Sequence, residues 1–204
     1  MTSETAATVD IERLALSALM AAPTPESFEE MLEWVSAGDF GVPGHSDQTD
    51  LRLLGVLEAM GCRVERAAEA VAVTGPADGL APVDVDMNDM PDAVLALAVV
   101  CAFASGPSVL RNIANLRIKE TDRLAALETE LQRLGVGARA GEDALHISPG
   151  EPGGLRAARI ATYDDHRMAM AFALAGLRVP GLEIENPGCV AKTWPDYFRW
   201  LERL

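Results

Sequence analysis

Residues 119–135 read KETDRLAALETELQRLG and carry the strongest helical pattern in the chain. Leucines at three- and four-residue spacing form one apolar stripe, made of Leu124, Leu127, Leu131 and Leu134. Gly135 follows as a typical C-terminal stop for such a helix. The stretch therefore predicts an amphipathic helix that buries one face against a core.

Short strand and helix patterns alternate on both sides of this helix. Upstream, VDVDM predicts a strand over 83–87, and Pro91 opens an apolar helix that runs to about Ser105. A strand at SVLRNI and a hairpin of VGARA with ALHIS complete the set. Residues 83–150 are therefore predicted to form one β-α-β-α-β-β unit.

The same order recurs in less complete form after and before this unit. Downstream, it is repeated without a closing hairpin by AARIAT, DDHRMAMAFALAGL, GLEIEN and TWPDYFRWLERL. Upstream, a helix at 47–61 precedes a hairpin of CRVERA and AVAVTG. Before them lies an atypical, irregular segment, 1–48, with a helix at 9–21. Stacked repeats of this period share a core. The chain is therefore predicted to form a single α/β domain over 1–204, with three βαβαββ units, the first eroded and the third incomplete.

Composition excludes several classes of protein. The 204 residues contain 17 Lys+Arg and 31 Asp+Glu, a net charge of −14, which argues against a nucleic-acid partner. No apolar run approaches the ~20 residues of a membrane span, and no basic region precedes the first apolar stretch as in a signal peptide. Three widely spaced cysteines without a CxxC pair favour a reducing cytoplasm, and three separated histidines predict no metal site.

Positive side chains stand at the predicted starts of helices, where the helix dipole is itself positive. Cations there are destabilising unless an anion joins them. Because the helices of stacked repeats run parallel, we expect their N-termini to gather at one end. That end holds two carboxylates and four cations: Asp92, Glu120, Lys119, Arg123, Arg167 and Lys192. The pattern predicts a site for a small, multiply charged anion, with carboxylates available for acid/base chemistry.

Each of these features also has a simpler interpretation. Glu120 and Asp122 would neutralise the nearby cations as a solvated surface cluster. His166, within the sequence DDHR, would be a hydrogen-bonded structural histidine. Thr193 and Asp196 have the spacing of a capping box at the last helix. The anion site is favoured because the misplaced cations recur at three separate helix starts.

Four sequence motifs occur in a fixed order along this region. They are DMNDMPDA (86–93), NIANLRIKETDRL (112–124), YDDHRMAM (163–170) and AKTWPDYF (191–198). Together they resemble the 5-enolpyruvylshikimate-3-phosphate synthase family, with residues 83–204 matching throughout, 49–82 matching weakly and 1–48 hardly at all. The resemblance implies a domain of three βαβαββ units whose helix N-termini face the ligand site.

The resemblance also implies a reaction and a role for each site residue. The enolpyruvyl group of phosphoenolpyruvate would pass to the 5-hydroxyl of shikimate 3-phosphate, with release of phosphate and without metal or organic cofactor. Asp92 would bind the shikimate hydroxyls and accept a proton, and Glu120 would exchange a proton with the methylene carbon. Lys119 would be a third catalytic residue, and together with Asn115 it would hold shikimate 3-phosphate. The remaining residues would bind phosphoenolpyruvate or support that binding: Arg123, His166, Arg167 and Lys192.

The first half of the family pattern does not occur in these 204 residues. That half supplies a second domain, a Gly-Asp-Lys-Ser type loop with a catalytic lysine, and a Ser-Ser-Gln type shikimate site. One hypothesis is therefore a shikimate-pathway enzyme of aromatic amino-acid biosynthesis, the C-terminal half of a split or truncated synthase, completed by an N-terminal-half protein or by self-association. The alternative is a non-catalytic phosphometabolite-binding or interaction domain. UDP-N-acetylglucosamine enolpyruvyl transferases fit less well, since the KETDR and DHR motifs are typical of the shikimate branch.

Overall fold

The structure is a computed structural model that describes residues 49–66, 71–150 and 154–202. The helix predicted at 9–21 lies outside the described residues. In the described ranges, no helix is long and apolar enough to cross a lipid bilayer.

The first described unit consists of one helix and one hairpin. A 3-10 turn, Thr49–Arg52, leads into helix α1, Leu53–Ala59. Strands β1, Arg63–Arg66, and β2, Val71–Thr74, pair antiparallel. The helix and hairpin predicted for this part of the chain are therefore confirmed.

The middle unit contains the complete β-α-β-α-β-β order predicted for residues 83–150. Its elements are β3 (Asp84–Asp86), α2 (Val94–Cys101), β4 (Ser108–Arg111), α3 (Arg123–Arg133), β5 (Gly137–Ala140) and β6 (Leu145–Ser148). The strand order in the sheet is β3-β4-β6-β5, with β3 and β4 parallel and β6 antiparallel to both of its neighbours, β4 and β5. The hairpin thus returns the chain to the sheet beside β4 and covers α3, with which it is in contact.

The last unit is shorter, as predicted. It contains β7 (Arg159–Ile160), α4 (His166–Gly176), β8 (Glu183–Ile184), a 3-10 helix (Pro187–Lys192) and α5 (Tyr197–Leu201). Strands β7 and β8 form a parallel pair. Within the part of the chain that the structure describes, no hairpin follows β8 to enlarge this sheet.

Three predicted helix boundaries are wrong for local reasons. The helix expected from Lys119 starts at Arg123, because the carboxylate of Asp122 accepts a hydrogen bond from the backbone N–H of Ala125 at 3.0 Å and caps it there. Lys119 follows a separate 3-10 helix, Ala114–Ile118, in extended conformation. Lys119 and Arg123 therefore do not share one helical turn.

The other two boundaries concern α5 and α2. Helix α5 starts only at Tyr197, and Asp196 makes no side-chain capping bond, so the predicted capping box does not form. Helix α2 ends at Cys101 rather than near Ser105 and is preceded by a 3-10 turn at Pro91–Ala93. Proline fits that first turn because its missing N–H has no acceptor there in any case.

Helix α2 forms the centre of the hydrophobic core. All eight of its residues are buried, which explains why VLALAVVC has no polar face. It packs against α3 and α4, and one continuous cluster of buried side chains runs from α1 to α4. Burial of a leucine or valine side chain contributes roughly 1.5–3 kcal/mol. This packing fixes α2, α3 and α4 relative to one another, and their first turns carry the charged residues described next.

Candidate anion-binding active site

A cavity of about 250 Å³ opens where the first turns of α2, α3 and α4 meet the 3-10 helix Pro187–Lys192. Its wall consists of Asp92, Lys119, Glu120, Arg123, His166, Arg167, Lys192 and Thr193. Seven of the eight residues predicted for the site from the sequence lie in this wall. They come from positions up to 100 residues apart, so the fold brings together what the chain separates.

Arg123 is the central cation of the site. Its side chain is only 1% exposed, and its Nε donates to Oδ2 of the fully buried Asp165 at 2.7 Å. Its two terminal nitrogens contact Asp92 Oδ1 at 3.3 Å and Glu120 Oε2 at 2.9 Å. Burial opposes the charge of this guanidinium, but the hydrogen bond and the three carboxylates raise its pKa above the ordinary value. Arg123 is therefore permanently charged and forms ion pairs with three carboxylates.

Asp92 bridges two of the arginines. It lies in the first turn before α2, where a carboxylate is stabilised by the helix dipole. Its Oδ2 accepts a hydrogen bond from Nη2 of Arg167 at 3.1 Å, opposite the contact with Arg123. With 39% of its side chain exposed, Asp92 remains accessible from the cavity. It can therefore accept a hydrogen bond or a proton from a bound molecule.

Glu120 pairs with the cation from the far end of the chain. Its Oε1 lies 3.0 Å from Nζ of Lys192, and its Oε2 contacts Arg123. The hydrogen bond from Lys192, its own backbone N–H and the nearby positive charges lower the pKa of Glu120 to about 2. With these partners Glu120 is a carboxylate at every physiological pH.

Lys119 and Thr193 complete the wall. Lys119 is exposed, and within the described residues it makes no ion pair. Thr193 adds a hydroxyl beside Lys192, although the sequence pattern suggested only a cap for it. Lys119 can thus bind an anion without first losing a carboxylate partner.

His166 is the first residue of helix α4 and lies in the cavity wall. Burial lowers the pKa of this imidazole, with smaller effects from neighbouring charges, and favours the neutral ring. Its Nδ1 lies 3.9 Å from Asp165 Oδ1 and has no hydrogen-bond partner among the described residues. His166 therefore contributes no positive charge at neutral pH, and its supporting role in the site stays a prediction.

Asn115 is the predicted site residue that does not reach this cavity. It lies in the 3-10 helix Ala114–Ile118, and its Oδ1 is buried without a hydrogen-bond partner in the described part of the chain. Its assignment to shikimate 3-phosphate stays a prediction.

Among the described residues no group of three or more His, Cys, Asp or Glu side chains is arranged to hold a metal ion.

Sequence reasoning missed the role of Asp165. Its carboxylate is fully buried, caps α4 by accepting from the N–H of Arg167 at 2.9 Å, and holds Arg123 through two hydrogen bonds. A signal was present, because an acid directly before a helix start is typical of a cap. What the sequence did not show is that the same carboxylate faces an arginine 42 residues away.

The fold and this cavity define a class of protein: an α/β protein with a cavity lined by cations and carboxylates where the first turns of its repeated units converge. Comparison with known proteins narrows the class. Residues 41–201 match the family of EPSP synthase, 3-phosphoshikimate 1-carboxyvinyltransferase. The chain belongs to this family.

Curated relatives agree with the family assignment. The 3-phosphoshikimate 1-carboxyvinyltransferase of Nostoc punctiforme is 52% identical over 153 residues, which cover 75% of this chain and 35% of the relative. The enzyme of that name from Edwardsiella ictaluri is 49% identical over 164 residues, which cover 80% of this chain and 37% of the relative. The chain thus spans little more than a third of the length of these relatives.

Solved structures show the same fold at lower sequence identity. EPSP synthase from Acinetobacter baumannii superposes with a TM-score of 0.69 at 22% identity, over 95% of this chain and 44% of that one. The enolpyruvyl transferase NikO from Streptomyces tendae gives a TM-score of 0.64 at 20% identity, over 95% of this chain and 41% of that one. The predicted α/β enolpyruvyl-transferase fold is therefore confirmed.

Proposed function

We propose that this chain supplies the C-terminal part of an active site that transfers enolpyruvyl from phosphoenolpyruvate to shikimate 3-phosphate. The observation that carries the proposal is the charge network around the 250 Å³ cavity, in which two carboxylates pair with three cations and a fourth cation, Lys119, lies beside them. Both substrates are polyanions, and acid/base groups must stand beside the anion-binding groups for this chemistry. The names of the curated relatives support the same reaction.

Anion binding falls to the more exposed cations. The side chains of Lys192 and Arg167 are 64% and 20% exposed, and each is now paired with a site carboxylate. A phosphate or carboxylate group of phosphoenolpyruvate would replace these carboxylates as the partner. Arg123, almost fully buried, would present one edge to the ligand while Asp165 holds the other. Lys119 and Asn115 would bind shikimate 3-phosphate, and His166 would support Arg167.

The two cavity carboxylates would move protons. Asp92 would accept the proton of the 5-hydroxyl as that oxygen attacks the enolpyruvyl carbon. Glu120 would give a proton to the methylene carbon and take one back when phosphate leaves. Its low pKa depends first on Lys192, so transfer of the ammonium group to a ligand would raise that pKa and let Glu120 hold a proton.

A partner would complete the site. In the middle unit the β5–β6 hairpin pairs with β4 and contacts α3, whereas the last unit has an apolar depression of about 700 Å³ in the corresponding region. Ile184 of β8, Val190 and Phe198 line it. A separate N-terminal-half protein or a second copy of the chain would add strands there and close the second wall of the cleft. We place the complex in the cytoplasm, where reducing conditions suit the buried free thiols of Cys62 and Cys101.

The second candidate is a phosphometabolite-binding protein without turnover. The observation that favours it is the wall of the cavity, because its four cations can hold a phosphate group whether or not a reaction follows. Such a protein would keep the cations of the cavity and bind phosphoenolpyruvate or shikimate 3-phosphate. Chain 1–204 would in either case form one enolpyruvyl-transferase-like domain.

Phosphate release from phosphoenolpyruvate and shikimate 3-phosphate tests the proposal. It is measured for the chain alone and with an N-terminal-half protein, using Glu120→Gln as the inactive variant. Glu128→Gln is the matched control, because it makes the same charge change on α3 outside the cavity wall. Release that Glu120→Gln abolishes and Glu128→Gln retains supports the enzyme. Binding of both ligands without release in either mixture supports the second candidate, and failure to bind either ligand refutes both.

A further inference from the structure

A second buried network lies two helical turns below the cavity and connects the same elements. Glu130 of α3 is seven residues after Arg123 and therefore on the same helix face. Its carboxylate is completely buried, which costs several kcal/mol unless hydrogen bonds satisfy the oxygens. Here they do: Oε1 accepts from the Tyr163 hydroxyl at 2.7 Å, and Oε2 accepts from the backbone N–H of Ala161 at 3.2 Å and from Arg133 at 3.1 Å.

Two of the three partners of Glu130, Ala161 and Tyr163, belong to the turn that precedes helix α4. This turn, residues 161–165, holds two successive non-glycine residues in the left-handed region, Tyr163 at φ 55° and Asp164 at φ 57°. Such a conformation is unfavourable for a tyrosine and persists only where surrounding contacts impose it. Glu130 supplies these contacts on one side, and on the other Nδ2 of Asn186 donates to Asp164 at 3.0 Å.

The same turn ends at Asp165, which organises the cation cluster. Asp165 holds Arg123 at 2.7 Å and starts helix α4, whose second residue is Arg167. Any rotation of the turn would therefore change the positions of both arginines. Two residues of α3, two helical turns apart, thus hold this turn in place. Arg123 does so through its ion pair with Asp165, and Glu130 through its hydrogen bond from the Tyr163 hydroxyl.

We propose that Tyr163, anchored by Glu130, is a positioning residue that fixes the left-handed turn and thereby sets Arg123 and Arg167 for anion binding. The role of the turn in binding rests on the proposed function, whereas its hold on Arg123 does not. Burial and the hydrogen bond to Glu130 raise the pKa of Tyr163 to about 12, so the phenol keeps its proton and remains the donor at physiological pH. The hydroxyl therefore acts as a permanent hydrogen-bond donor and takes no part in proton transfer.

Tyr163→Phe removes only this hydroxyl, and Tyr197→Phe is its matched control. These are the two tyrosines of the chain, and the Tyr197 hydroxyl donates to the carbonyl of Met170 at 2.8 Å in a buried contact outside the cavity wall. The first readout needs no ligand: hydrogen exchange of the Arg123 Nε–H, followed by 15N-resolved NMR. We expect exchange at least about tenfold faster in Tyr163→Phe and within about twofold of the parent in Tyr197→Phe. Equal exchange in the two variants would overturn the proposal.

The second readout is the ratio of two affinities. Tyr163→Phe should weaken phosphoenolpyruvate binding about fivefold or more and leave shikimate 3-phosphate within about twofold, whereas a general loss of stability would weaken both alike. If the parent chain binds neither ligand, the proposed function fails and the exchange experiment still decides the positioning role. Tyr163→Asn also removes the phenol, and asparagine tolerates the left-handed region, so this variant serves if Tyr163→Phe does not fold. Unchanged Arg123 exchange in that variant would equally refute the proposal.

Discussion

Replacement of Lys192 by methionine tests the ion pair that links the last unit to the middle one. The change removes the ammonium group 3.0 Å from Glu120 and keeps an unbranched side chain of similar length. Because Lys192 is the largest cause of the low pKa of Glu120, that pKa should rise from about 2 toward its ordinary value of 4.5. Arg123 remains beside Glu120, so we expect a rise of about one pH unit rather than a complete return.

The structure also bounds the effect on stability. A pKa lowered from 4.5 to about 2 would correspond to about 3 kcal/mol if solvent did not screen the charges. The lysine is 64% exposed and the glutamate 33%, so we expect the pair to stabilise the fold by about 1 kcal/mol or less. A carboxylate with a lowered pKa in the folded state stabilises above its unfolded pKa and loses that contribution as pH falls through the folded pKa. The difference between parent and variant should therefore be largest above about pH 4.5 and vanish near pH 2.

Two measurements check this prediction. The pKa of Glu120 is followed through its side-chain carboxyl carbon by NMR, and the free energy of unfolding is measured in urea at pH 7 and pH 3. Arg199→Met is the matched control, because it removes an exposed cation 3.1 Å from Asp196 on the neighbouring helix. If Lys192→Met leaves the pKa of Glu120 unchanged, the pair does not exist in solution and the proposed switch of Glu120 from base to acid loses its basis.

Three further predictions concern other parts of the molecule. Asp92→Asn removes the charge between two arginines and should lower phosphate release by the completed enzyme about 100-fold or more, with little change in urea unfolding; an unaltered rate would exclude Asp92 as the base. His166 has a lowered pKa, so the unfolded state takes up its proton first and stability should fall as pH drops below about 6.5; His166→Gln should lack this slope in unfolding curves from pH 7.5 to 5. Leu97→Ala in the fully buried α2 should cost roughly 2–5 kcal/mol of unfolding free energy in urea titrations. Leu177→Ala, at a side chain 39% exposed, should cost less than about 1 kcal/mol, and equal losses would contradict the packing of α2.

The order of the helices and strands and the identity of most site residues could be predicted from the sequence, for physical reasons. A buried helix needs apolar residues all round, and α2 shows this directly in VLALAVVC. Cations at the positive end of a helix need an anion, which is why Arg123 and Arg167 stand out in the sequence. The predicted helix start at Lys192 is wrong, because this residue ends the 3-10 helix Pro187–Lys192 and α5 begins only at Tyr197. Seven of the eight predicted residues meet in one cavity because repeated units place their helix starts together.

Boundaries and pairings were not predictable in the same way. Whether α3 starts at Lys119 or at Arg123 depends on which side chain caps the helix, and Asp122 does so with one hydrogen bond. That single bond puts Lys119 in the extended connection instead of the helix. The pairing of Arg123 with Asp165 depends on the packing of α3 against a turn 42 residues later, and no local pattern encodes such a contact.

The charge of the cavity is opposite to that of the whole chain, and this contrast affects how fast ligands arrive. Four cations line the cavity against two acids, yet the chain as a whole carries −14. At 0.1 M salt, a polyanion more than a Debye length of about 10 Å away is screened from the cations of the cavity and from the negative surface alike. At low salt, the repulsion of the whole negative surface reaches the approaching polyanion first. Association should therefore become faster as moderate salt is added, the reverse of the usual steering of an anion to a basic site. Dissociation should accelerate as well, because the same ions compete for the cavity, so this acidic surface makes encounter rate and residence time respond to ionic strength in opposite senses.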